Sequence, residues 1–86
     1  MQYDISAEIN KAISALKKGN LPLADIICRM LIDNGDRYSI VYGILGNISR
    51  LVKRYDMALH YFQCAIDIDS SCQSAIEAMT DVRRAL

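Results

Sequence analysis

The sequence predicts an all-α protein of stacked antiparallel helical hairpins, five helices in a single domain over residues 1–86. Three observations predict it. Apolar residues recur at three- and four-residue spacing in five separate windows, the mark of a helix with one buried face. No window alternates apolar and polar residues between hairpin turns, as a half-buried strand would. A shift of 34 residues lays the chain upon itself, with few exact identities but apolar packing positions falling on apolar ones. The length of 86 residues allows one domain, and an apolar fraction of 52% is too high for a disordered tail.

The first helix carries Ile5, Ile9, Ala12, Ile13 and Leu16 on one face. Asp4 and Ser6 are candidate N-caps, Glu8 sits in the first turn, and Lys17 and Lys18 stand at the end where cations are favoured. Gly19-Asn20 breaks the pattern. Pro22 opens the second helix, where its missing N–H costs nothing, and Leu23, Ala24, Ile27, Cys28 and Leu31 form its stripe. Asn34-Gly35 closes it. A third helix is expected from Tyr38 to Val52 with Val41, Tyr42, Leu45, Ile48 and Val52 inward, and Lys53-Arg54 at its end. A fourth runs from Asp56 to Ile68 on Ala58, Leu59, Phe62, Ala65 and Ile66. Ser70 and Gln73 have the spacing of a capping box. They would open a fifth helix with Ile76, Met79, Val82 and Leu86 inward.

The 34-residue shift carries Ala24 onto Ala58, Ile32 onto Ile66 and Asp33 onto Asp67. It also carries Ala12 onto Gly46 and Cys28 onto Phe62. The pattern Tyr42-x-x-Leu45-Gly46, followed by Tyr55, Ala58, Phe62 and Ala65, resembles the tetratricopeptide repeat. By that resemblance residues 5–38 are a first repeat, 39–72 a second, and 73–86 a capping helix, stacked as a right-handed solenoid. In the second unit Tyr42 stands for the family's opening aromatic, and Ser70 replaces the proline after the last Asp. The first unit departs further, with Glu8 at the aromatic position and Lys11-Ala12 in place of Leu-Gly. Small residues recur where helices cross closely, and Phe62 and Tyr42 fill the space that remains. A single hairpin cannot bury its apolar face, so neighbours must stack, and about three repeats make an independent core. Two and a half units lead us to expect a chain completed by a partner.

The resemblance implies a concave groove lined by the first helix of each repeat. It assigns Ile9, Asn10, Ile13 and Leu16 from the first unit, Ile40, Ile44, Asn47, Arg50 and Leu51 from the second, and Glu77 and Asp81 from the cap; Ser6, Gly43 and Ser74 adjoin them. Members that grip acidic peptide C-termini use a clamp of Lys, Arg and Asn. Here only Asn47 fits, Ile9 and Ile13 replace clamp residues, and Glu77 and Asp81 put acid where base is required. The groove reads instead as apolar, suited to an amphipathic helix or an apolar extended segment of another protein. The expected role is a protein-binding module, a small chaperone or adaptor subunit similar in class to the helical-repeat chaperones of bacterial secretion systems. The alternative is a module that associates with a second copy of itself, or the N-terminal repeat piece of a larger bacterial protein.

The chemistry of a catalyst or metal site is missing from the pattern. His60 and Cys64 share a helix face, but two more ligands would be needed and there is no second His. A Cys–His nucleophile would need a third orienting group. Asp67-x-Asp69-x-Ser71 imitates a calcium loop but has Cys72 at the glycine position and Ala78 at the closing Glu. No enzyme activity and no cofactor are therefore expected. Ten basic against ten acidic residues argue against nucleic acid and anionic membranes as partners. The basic pairs Lys17-Lys18, Lys53-Arg54 and Arg83-Arg84 read as complements to helix dipoles. The longest run without a charged or strongly polar residue, Ile40 to Gly46, is too short to span a bilayer, and Met1-Gln2-Tyr3-Asp4 has no signal-like pattern, so a cytoplasmic location is expected. Three cysteines, odd in number and without C-x-x-C spacing, read as small buried hydrophobes.

Overall fold

The computed structural model describes residues 4–86; the N-terminal reading of residues 1–3 lies outside them. Five helices follow one another: α1 (Ile5–Lys17), α2 (Leu21–Asp33), α3 (Ser39–Leu51), α4 (Tyr55–Ile68) and α5 (Gln73–Ala85), with no strand among the described residues. None of these helices is long and apolar enough to cross a membrane.

Local chemistry sets most of the boundaries. Asp4 caps α1, its Oδ1 accepting from the amides of Ser6 at 3.0 Å and Ala7 at 3.3 Å. Asn20 caps α2 through the Leu23 amide at 3.4 Å. The α1–α2 and α3–α4 turns have the same geometry. Gly19 and Lys53 both take left-handed φ, 79° and 64°. The next amide then reaches back to the end of its helix, Asn20 to Ala15 and Arg54 to Ser49, each at 2.8 Å. Lys53 thus holds a conformation that costs a side chain roughly 1–2 kcal/mol. Gly35 closes α2 in the same way at φ 87°.

The start of α5 differs from the expected capping box. The cap position is Cys72, with no side-chain cap bond, and Gln73 reaches forward to Glu77. The polar turn is organised one residue earlier. Asp69 Oδ1 accepts from the Ser71 amide at 3.0 Å and hydroxyl at 2.6 Å, and these bonds hold its carboxyl below the usual range. A side chain committed to that turn leaves Ser70 without a capping role.

Each helix packs antiparallel on its neighbour, α1 also touches α3, and α3 also touches α5. The backbones of α2 and α4 stay apart, as do those of α1 and α5. The odd helices therefore form one layer and the even helices the other, in a body 44 × 27 × 18 Å across. The core has two parts that meet at α3. Ala12, Ala24, Cys28, Leu31, Val41, Ile44, Leu45 and Ile48 belong to the first. Ala58, Phe62, Ala65, Ala75, Met79 and Val82 form the second, with Tyr42 packed against it. A Cβ on Gly46 would meet the Phe62 ring at 2.6–2.8 Å, so glycine is what lets α3 and α4 close. Three expected core residues lie outside it: Leu23, Val52 and Leu86 are exposed, and Ile76 is only half-buried. Each sits at a helix flank or end where no neighbouring element arrives.

Candidate functional site

The layer of α1, α3 and α5 forms the candidate binding face. Spacing of three and four puts Ile40, Ile44, Asn47 and Leu51 on one side of α3. Ile40 and Leu51 are exposed at the two ends, about 16 Å apart along the axis. Ile44 between them is only 4% exposed and belongs to the core. Ile9, Ile13 and Leu16 are half-buried and pack against the same cluster, while Asn10 is exposed on α1. The expectation of a broadly apolar groove free of packing duty is thereby corrected. α3 is enclosed by four helices, so a residue such as Ile44 can face the groove layer and still be core.

Between α3 and α5 the face deepens into a recess of about 250 Å³. Gly43, Asn47, Arg50, Ser74, Glu77, Ala78 and Asp81 line it, with Phe62 and Ala75 as further lining. The structure thus brings together four of the expected polar residues, Asn47, Arg50, Glu77 and Asp81. Arg50 Nη2 donates to Asn47 Oδ1 at 3.0 Å, which fixes the guanidinium along α3. Arg50 makes no ion pair among the described residues. The recess therefore presents a cation and two carboxylates, and it can take up a polar or zwitterionic stretch of chain.

Charge is sorted along the stack. The helix pairs alternate in direction, so the C-terminal ends of α1, α3 and α5 share one edge. That edge carries Lys17, Lys18, Lys53, Arg54, Arg83 and Arg84, all exposed and none in an ion pair among the described residues. The opposite edge carries Asp4, Asp33, Asp36, Asp67 and Asp69, with Arg37 among them, and Asp56 in the first turn of α4 stands on the basic edge, so each edge has an excess of one sign rather than one sign alone. Helix dipoles account for half of this. Cations suit the C-termini of the odd helices, but Asp33 and Asp67 stand at the C-terminal ends of α2 and α4, where the dipole disfavours them. The reading of the basic pairs as dipole complements is therefore incomplete.

A second apolar surface was missed in the sequence. Leu23, Ile26 and Met30 form an exposed stripe along α2, and Ile26 is 63% exposed. Beside it a recess of about 330 Å³ is lined by Lys11, Ser14, Ala15, Lys18, Asn20, Leu23 and Ile27. The signal was present: together with Ala24, Ile27, Cys28 and Leu31 the stripe makes α2 apolar over more of its circumference than one core face requires.

The remaining groups are quiet. Burial, with the Asp25 charge adding to it, pushes the Cys28 thiol up to about 12, so it is an inert core residue. Cys64 and Cys72 are half-buried rather than buried as expected. The exposed His60 lies 3.8 Å from the Cys64 Sγ, and no group of three or more potential metal ligands occurs among the described residues. No protein-family model, curated protein or solved structure matches this chain.

Proposed function

We propose that this chain is a protein-binding module of tetratricopeptide type, acting in the cytoplasm as a small chaperone or adaptor that holds a segment of another protein. One observation carries the reading: the odd helices lie in one layer, with the polar α3–α5 recess beside exposed Ile40 and Leu51. Repeat-like geometry supports the family assignment, because Gly19 and Lys53 stand 34 residues apart in matching turns. The partner segment is amphipathic. Its apolar side meets Ile40 and Leu51, and its polar side meets Arg50, Asn47, Glu77 and Asp81.

The test is affinity capture from the source cell with the native chain and with Leu51→Glu. Leu51 is exposed at the end of α3, so its replacement leaves helicity intact. The expected result is a defined set of proteins held by the native chain and lost by about tenfold or more with the variant. Recovery of the same set at the same yield would end the groove reading.

A further inference from the structure

The α2 stripe and the sorted charge lie away from the concave face, and together they specify an occupant. Leu23, Ile26 and Met30 are large exposed apolar residues of α2, and no other helix among the described residues covers them. Lys18 lines the recess beside the start of this stripe, and Asp33 stands just past its other end. Both are exposed and neither makes an ion pair among the described residues. The stripe is therefore an apolar strip with a positive end and a negative end.

An arrangement of that kind is self-complementary when turned by half a rotation. We propose that α2 is the contact surface of a symmetric dimer, in which the α2 helices of two copies pack antiparallel. Leu23 of each copy then meets Met30 of the other, and Ile26 lies near the two-fold axis. The same rotation puts Lys18 of one copy opposite Asp33 of the second, twice by symmetry. It also sets the basic edge of each copy beside the acidic edge of the other, so the excess charge of each edge meets its opposite in the pair. A parallel pairing would bring like edges together. Stacking one copy's α5 on the other's α2 would set Gln73, Thr80 and Arg84, all exposed, against an apolar stripe.

Sedimentation velocity in the tens of micromolar at low salt tests this. The native chain is expected to be a dimer. Ile26→Asp is expected to be a monomer with unchanged helicity, because Ile26 contributes nothing to either core cluster. Lys18→Glu and Asp33→Lys are each expected to weaken the dimer about tenfold by placing like charges together. Lys18→Glu with Asp33→Lys in one chain restores the opposite-charge pairing and is expected to return to the native dissociation constant. The two residues lie at opposite ends of α2, so this rescue cannot arise within one copy. A native chain that stays monomeric overturns the proposal. So does a dimer indifferent to Ile26→Asp, or a double variant no tighter than the singles, either of which would assign the stripe to a different protein. The concave face is untouched by these substitutions, so the outcome is independent of groove binding.

Discussion

Gly46 is the residue at which the fold is most tightly specified. Its missing Cβ is the space that the Phe62 ring occupies, and that ring is buried between α3 and α5. Alanine is the better helix former by about 1 kcal/mol, so propensity alone would favour Gly46→Ala. Overpacking a closed interface costs about 1–3 kcal/mol, and we expect it to win, with a net loss near 1–2 kcal/mol in urea unfolding. Adding Phe62→Leu should make Gly46→Ala less harmful than it is alone; an unchanged penalty would place the strain elsewhere. This contact was legible in advance because Gly46 falls where Ala12 falls in the first unit. Ile44 was not, because periodicity places a residue on a face but does not say how many neighbours enclose that face. α3 has helices on both flanks, and that is a property of assembly rather than of spacing.

At the level of the helix, α5 covers Ala58, Phe62 and Ala65 through Ala75, Met79 and Val82. Its outer side, by contrast, is polar and exposed. A chain ending at residue 72 should therefore lose more helix by circular dichroism than the 13 residues of α5 contribute, because the second cluster is left open to water. A loss no greater than that of α5 itself would show that α3 and α4 hold Phe62 without it. The element order, the two turns closed by glycine and the cap at Asp4 were readable from local signals. The Ser70 capping box was not real, because Asp69 competes for the same turn and its hydrogen bonds to Ser71 organise it first. Helix flanks were over-assigned to the core at Leu23 and Val52 for a different reason. A stripe continues along a helix whether or not a neighbour is present to meet it.

For the molecule as a whole, net charge is a poor description of the field. The sum of zero hides an excess of one sign at each edge, where the like charges repel one another within the chain. At 0.1 M salt the Debye length is about 10 Å, comparable to the spacing of groups along an edge. Added salt should therefore raise the melting temperature of the Ile26→Asp chain, which keeps the measurement on a single copy. A fall would mean that attraction across the body outweighs repulsion along its edges. The pairs of basic residues are legible in the sequence, one helix end at a time. Their common edge follows only from the alternation of helix direction, and the exposed α2 stripe only from how the described helices pack around α2.

The separation of α1 from α5 has a mechanical consequence. Neither helix touches the other; α1 is seated mainly on α2 and α5 mainly on α4, and each adds a smaller contact with α3. The body is thus two hairpin leaves that meet at α3, and the opening between α1 and α5 is the coordinate that no direct contact between them restrains. A segment gripped by both leaves would draw them together or spread them while leaving every hairpin intact. The shape of the complex is then set by a single bend about α3 rather than by refolding of any part.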